Sequence, residues 1–292
     1  MNILIIGSGG RLGAALARAY RPSHQVVGFN HSELDIASPD AIASRIGPLD
    51  FDVLINCAAL TNVDYCETHE AEAMRVNADA VRELAEICAR KSARLIHIST
   101  DYVFDGEKTT PYVEEDEARA ISIYGESKRR GEIGALAVSE KNLVARVSWV
   151  FGPDRPSFID LILKRALETD KVEAIADKFS SPMFTPDAAE LLRPFVSGDV
   201  STGGLLHLCN TGACSWREYG QHAIDCAVAA GLPVKGRTVG ALALADMKNF
   251  VAKRPVYTVL STEKLAHLTG IVPRNWQAAV EDFVRHSLSA AQ

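Results

Sequence analysis

The chain is predicted to be an α/β protein: a doubly wound parallel sheet followed by a smaller α/β unit. Three observations predict this. Strand-sized runs of mostly apolar residues recur at positions 3–6, 25–29, 52–56, 94–98 and 142–147. Stretches with helical spacing of apolar residues separate them. Strands that are apolar almost throughout are buried on both faces, and strand–helix alternation sets them parallel. Finally, 292 residues with 47% hydrophobic and 23% charged content are enough for a large core and exclude a disordered chain.

The elements follow in order. The run Ile3-Leu4-Ile5-Ile6 is a buried strand, and a helix is expected at 12–20 after a cluster of glycines. Ser38 precedes Pro39, so Ser38 can cap a helix that carries proline in its first turn. Ala73, Val76, Ala80, Val81, Leu84, Ile87 and Cys88 keep a helical period through 70–90. A further helix is expected at 124–137. After Trp149 the rhythm changes. Helices are expected at 158–167 and 187–196, and a third, capped by Ser215, runs to about residue 230. The residues 204–208 resemble a strand. We therefore divide the chain into 1–150 and 151–292, with a segment near 180–209 as a candidate to return to the first sheet.

The net charge of −6 argues against a nucleic-acid partner, which ordinarily needs a basic face. It does not exclude a phosphorylated small molecule, since a helix N-terminus can hold phosphate locally. No apolar stretch approaches the roughly twenty residues of a membrane span. The N-terminal residues lack a basic leader and read as a strand. The six cysteines form no CxxC pair and no metal-like cluster, so reduced thiols in a cytoplasm are expected.

Gly7-Ser8-Gly9-Gly10-Arg11-Leu12-Gly13 joins the first strand to the first helix, with Gly7, Gly10 and Gly13 three apart. In that context the pattern suits a dinucleotide: backbone approaches the pyrophosphate, and free N–H groups meet it. The second strand ends at Phe29-Asn30-His31, with no acidic residue at its tip to hold a ribose diol. Arg11 and His31 could meet a 2′-phosphate, which favours NADPH, with NADH the alternative. Asn56-Cys57-Ala58-Ala59-Leu60 ends the third strand in mostly small side chains, leaving room for a flat cofactor.

Tyr124 and Lys128 stand four apart and share a helix face. An ammonium nearby favours phenolate, so Lys128 is expected to lower the Tyr124 pKa and make the pair an acid–base device. Thr100 and Asp101 stand at the end of the fourth strand, where open α/β sheets bind ligands. A hydroxyl there can position a substrate oxygen before Tyr124. Asn77 lies on an apolar stripe and must find hydrogen-bond partners, either bridging behind Lys128 or simply within the core.

These residues carry a resemblance. The glycine triplet, Thr100 and Tyr124-x-x-x-Lys128 resemble the extended short-chain dehydrogenase/reductase superfamily, which implies a Rossmann-type fold. More narrowly, the chain is similar to the dTDP-4-dehydrorhamnose reductase family. The similarity rests on Leu34-Asp35-Ile36, Asn56 to Asp64, Ser99-Thr100-Asp101-Tyr102-Val103-Phe104-Asp105-Gly106, Arg146 to Gly152, Cys214-Ser215-Trp216 and Arg254-Pro255. It implies reduction of the 4-keto group of a nucleotide-linked deoxysugar by NADPH or NADH. Tyr124 is then the acid, Lys128 orients the nicotinamide ribose, and Thr100 contacts the keto oxygen. Gly7, Gly10, Arg11, Leu12, Asn30, His31, Asp35, Ile36, Ala58, Ala59, Leu60 and Ile98 line the cofactor. Asp101, Phe104 and Trp149 face the sugar, and Arg254 meets a nucleotide phosphate. No metal is implied, and a homodimer is compatible with this reading. Two stretches, Ala120 to Ile123 and Asp177 to Met183, depart from the family's usual pattern on the sugar side. A non-catalytic subunit like the regulatory subunit of methionine adenosyltransferase, or a nucleotide-sugar epimerase, remain the alternatives.

Overall fold

The computed structural model describes residues 1–289. Its centre is a six-stranded sheet in which every pairing is parallel. Five strands come from the first half: β1 Asn2–Ile6, β2 Gln25–Phe29, β3 Val53–Asn56, β4 Arg94–Thr100 and β5 Leu143–Val147. Four short strands precede the sixth sheet member, the first three being β6 Val150–Phe151, β7 Val172–Ile175 and β8 Phe179–Ser180. With β9 Met183–Phe184 the chain then reaches β10 Gly204–His207, which pairs with β5 at the sheet edge. The order is β10-β5-β4-β3-β1-β2.

Alternation along the strands explains the two-sided covering. Ile3 and Ile5 point to one face, Leu4 and Ile6 to the other. The first face packs against α1 Arg11–Tyr20 and α8 Thr185–Ser197; the second packs against α2 Pro39–Ile46, α5 Ala80–Arg90 and α6 Ile123–Val138. The expected cap is present, with Ser38 accepting from Ala41 N at 3.2 Å.

The long helix expected at 70–90 is divided. Two short helices, α3 Val63–Thr68 and α4 Glu70–Met74, precede a π-helical turn at Arg75–Asp79, and α5 follows it. The wide turn gives Asn77 its place. Its Oδ1 accepts from Leu60 N at 2.8 Å, while Nδ2 donates to Leu60 O and to Ser127 Oγ, both at 3.0 Å. Asn77 thereby ties the loop after β3 to the helix that carries Tyr124 and Lys128. The amide is fully satisfied, as a buried amide requires.

The second body has its own apolar cluster, built from α7 Phe158–Glu168, α9 Trp216–Ala229 and α11 Trp276–Ser289. β7 pairs in parallel with β12 Val239–Leu242, a two-stranded ribbon that periodicity did not indicate. Two smaller elements complete the described chain: β11 Cys214–Ser215, antiparallel to β8, and α10 Glu263–Thr269. Ser215 caps α9 in a reciprocal capping box with Glu218.

Candidate active site

The glycine turn has the geometry its spacing suggests. Gly7 has φ +79°, and a Cβ built there would lie 2.7 Å from Ala58 N, so a side chain is excluded. A Cβ on Gly13 would lie 2.3 Å from Gly7 O, so this glycine lets α1 close onto β1. The N-cap of α1 is Gly10, with no side chain hydrogen-bonded over the helix end. The first-turn N–H groups are therefore open to an anion.

Two cavities meet at this turn, over the C-terminal ends of the parallel strands. The larger, about 900 Å³, is lined by Gly7, Gly10, Asn30, His31, Asp35, Ile36, Ala58, Ala59 and Leu60 among others. The smaller, about 480 Å³, is lined by Gly10, Arg11, Leu12, Ile98, Thr100, Asp101, Tyr124, Lys128 and Trp149 together with neighbours. Gly10, Cys57 and Ala59 belong to both, so the two are continuous. An elongated dinucleotide fits such a groove. Small side chains form its floor, and an uncapped helix end stands at its middle.

Tyr124 and Lys128 enter the smaller cavity from the first turns of α6, whose start is set by Ser122 accepting from Gly125 N at 3.2 Å. Burial pushes the Tyr124 phenol above its ordinary value, and Thr100, which faces it, only partly opposes this. The expectation that Lys128 would lower the Tyr124 pKa is therefore corrected. Lys128 Nζ turns instead to Ile98 O at 2.7 Å and to His97 Nε2 at 3.3 Å. Its own pKa is pushed down to about 8 by burial, partly offset by Glu132 and Cys57. A protonated phenol is what a proton donor requires, so burial suits Tyr124 to the reductive direction.

His97 was not singled out from the sequence. It is fully buried in β4, and its Nδ1 stands 3.2 Å from Asn56 Nδ2. Asn56 Oδ1 accepts from Ala58 N at 3.1 Å, which orients that amide. Burial, then the charge of Lys128, holds the imidazole neutral, well below its usual pKa. A histidine between Ile96 and Ile98 was the available signal, since a buried imidazole must be partnered.

Asp101 also does more than line the cavity. Its Oδ1 accepts from Thr100 Oγ1 at 3.1 Å, and its Oδ2 accepts from Ser148 at 2.9 Å, Ser180 at 3.0 Å and Thr258 at 2.5 Å. One carboxylate thus joins the end of β4 to three distant parts of the chain. Beside it, Lys178 is fully buried, lies 5.0 Å from the Tyr102 ring centre and donates to Pro255 O at 2.6 Å. Burial pushes Lys178 down to about 8. Tyr102 in turn meets Tyr124 edge-on, with ring centres 5.6 Å apart. Trp149 holds a positive φ of 40° on the opposite wall, backed by Trp216 and Tyr219. Such backbone strain in a bulky residue is characteristic of functional sites.

Three expectations are corrected. Phe104 does not face the sugar: it is wholly buried, stacks on Tyr112 with ring centres 4.0 Å apart, and belongs to the core. Phe104 is turned inward, onto Tyr112 and under the Arg146 guanidinium. Arg254 is not a free phosphate ligand. Its guanidinium forms a bidentate pair with Asp64 at 2.8 and 2.6 Å and covers the Phe250 ring at 3.8 Å. That pair holds Asp64 down to about 2, chiefly through its hydrogen bond to Arg254. Arg11 does not reach the tip of β2 to meet a 2′-phosphate, because its guanidinium is turned to the carbonyls of Arg155 and Pro156. Among the described residues no cluster suited to a metal ion is present, and no helix is long and apolar enough to cross a membrane.

Comparison with known proteins agrees with this geometry. Residues 1–289 match the family model described as the RmlD substrate binding domain. A dTDP-4-dehydrorhamnose reductase of Mycolicibacterium smegmatis is 37% identical over 287 residues, covering 97% of this chain and 85% of that one. The protein of the same name from Aggregatibacter actinomycetemcomitans is 34% identical over 287 residues, covering 96% and 97%. The crystal structure of dTDP-4-dehydrorhamnose reductase from Bacillus anthracis in complex with NADP aligns with a TM-score of 0.90 at 27% identity, covering 98% of this chain and 99% of that chain. Fold, cleft and sequence point the same way: the chain belongs to the RmlD substrate binding domain family.

Proposed function

We propose that this protein reduces the 4-keto group of dTDP-4-dehydrorhamnose, with NADPH as the reductant. The observation that carries this is the convergence of Tyr124, Lys128 and Thr100 on one cavity that continues into a dinucleotide-sized groove. Relatives named as dTDP-4-dehydrorhamnose reductases support the substrate, and the neighbour solved with NADP supports the cofactor.

When bound, NADPH supplies the hydride. The chain's residues do the rest. The glycine turn and the start of α1 hold the pyrophosphate, and Asn30, His31, Asp35 and Ile36 flank the adenosine end. Ala58, Ala59 and Leu60 leave a flat passage, and Ile98 and Lys128 hold the nicotinamide ribose. Thr100 positions the keto oxygen. Tyr124 gives it the proton as the alkoxide develops, which is general acid catalysis. Trp149 packs against the sugar, and residues 151–292 supply much of the substrate side. The six cysteines are free thiols, which supports a reducing compartment such as the cytoplasm.

The test is Tyr124→Phe with dTDP-4-dehydrorhamnose, followed by loss of reduced-nicotinamide absorbance. Turnover should fall by roughly 10²–10⁴-fold, the range for a lost general acid. NADPH affinity should stay within about twofold, since only the hydroxyl is removed. Undiminished turnover would reject Tyr124 as the acid. A wild type that binds NADPH but reduces no nucleotide-linked keto sugar would favour the non-catalytic alternative.

A further inference from the structure

The loop after β6 crosses from the second body onto the glycine turn. Arg155 Nε donates to Gly9 O at 2.9 Å, and Arg11 donates back to the carbonyls of Arg155 and Pro156. Arg18 pairs with Asp154. These contacts join residues more than 130 positions apart and strap the loop to α1.

Of the three arginines, Arg155 alone lines the larger cavity. A Cβ built on Gly9 would lie 3.0 Å from Asn30 Cβ and 3.9 Å from Arg155 Nη2. The guanidinium therefore stands beside the tip of β2, where a dinucleotide's adenosine ribose is held. Its terminal amino groups make no hydrogen bond among the described residues. The neighbouring carboxylates of the cavity are already engaged. Asp35 accepts from Ala37 N at 2.9 Å, and Glu72 accepts from the Tyr65 hydroxyl at 2.9 Å. Glu33 is turned to Asn30 N at 2.8 Å. A guanidinium with open N–H edges, next to a strand tip whose nearby Glu33 carboxylate is already held by Asn30 N, suits a phosphate dianion.

We propose that Arg155 reads the 2′-phosphate of NADPH, so that the preference between the two nicotinamide cofactors is set by a residue from the second body of the molecule. This rests on the larger cavity being the cofactor groove. The strap holds Arg155 in place, and His31 at the β2 tip lines the same cavity.

The experiment is calorimetric titration of the full chain and its Arg155→Ala variant. NADPH and NADH are the ligands, with 2′,5′-ADP and 5′-AMP as probes of the phosphate alone. Arg155 is exposed, so the variant should fold. Its dissociation constants for NADPH and 2′,5′-ADP should rise about tenfold or more, as for a lost charge-assisted contact. Those for NADH and 5′-AMP should stay within about twofold. Equal weakening of NADPH and NADH would place Arg155 on the shared pyrophosphate and overturn the proposal. An unchanged ratio with unchanged affinities would overturn it too. Wild-type protein that binds neither nicotinamide would overturn the groove assignment itself, and the proposal with it.

Discussion

The ion pair of Arg146 and Glu132 ties α6, the helix of Tyr124 and Lys128, to the sheet, and removing one partner strands a buried charge. Arg146 Nε and Nη2 donate to the two oxygens of Glu132 at 2.9 and 2.7 Å, and Ser99 Oγ donates to the same carboxylate at 2.6 Å. The side chains are only 2% and 4% exposed. The guanidinium also covers the Phe104 ring at 4.9 Å. Arg146→Met keeps much of the apolar stem but strands the carboxylate in a dry core. Leaving one buried charge unpaired costs about 3–5 kcal/mol. An independent bound comes from protonation. A free carboxyl titrates near 4.3, so neutralising one at pH 7 costs about 3.7 kcal/mol and at pH 5 only about 1 kcal/mol. The loss should therefore be about 3–4 kcal/mol at pH 7 and markedly smaller at pH 5. Urea unfolding of wild type and variant at both pH values reads it directly. Glu132→Gln/Arg146→Met leaves no charge to strand and should recover about 2 kcal/mol of the loss at pH 7. A loss below about 1 kcal/mol at pH 7, or one equal at both pH values, would refute the reasoning.

Other outcomes follow from the same structure. Lys128 is buried with its pKa at about 8, below the ordinary 10.5. The unfolded chain then binds more protons between those values, so this lysine adds stability as pH rises and forfeits it as pH falls through about 8. Between pH 8 and 9.5, wild type should gain about 2 kcal/mol relative to Lys128→Met in denaturant unfolding; parallel curves would reject a depressed lysine. Arg254→Ala removes the partner of Asp64 and should cost about 1–3 kcal/mol in urea unfolding. Its effect on the KM for the sugar nucleotide should stay within about threefold, because the pair is internal. A large KM increase with unchanged stability would restore Arg254 as a phosphate ligand.

The Asn56–His97–Lys128 chain shows how a local motif acquires its chemistry. The spacing of Tyr124 and Lys128 already sets both on one helix face. It does not say where the ammonium turns, and here β4 supplies the Ile98 carbonyl that accepts from it and sets the His97 ring beside it. Asp101 is similar. Its place at a strand end was legible, while its partners Ser148, Ser180 and Thr258 lie 47, 79 and 157 positions away.

By itself, the sequence determined what depends on short spacing and burial pattern. Apolar runs set the strands, and Ser38 and Ser215 set helix starts. Glycine at 7 and 13 set a turn that no side chain permits, and residues ending β1, β3 and β4 were bound to gather at one sheet edge. Caps and turns are enforced by the backbone within a few residues, and strand ends gather because alternating strands and helices set the strands parallel. Only the tertiary structure decided the long-range pairings. It returned β10 to the side of β5, turned Phe104 into the core and closed Arg254 on Asp64. It also turned Arg11 away from the β2 tip and brought Arg155 to it. The physical reason is that such pairings depend on how two apolar bodies pack against each other. Packing is a property of the assembled surfaces, and the spacing within either segment does not encode it.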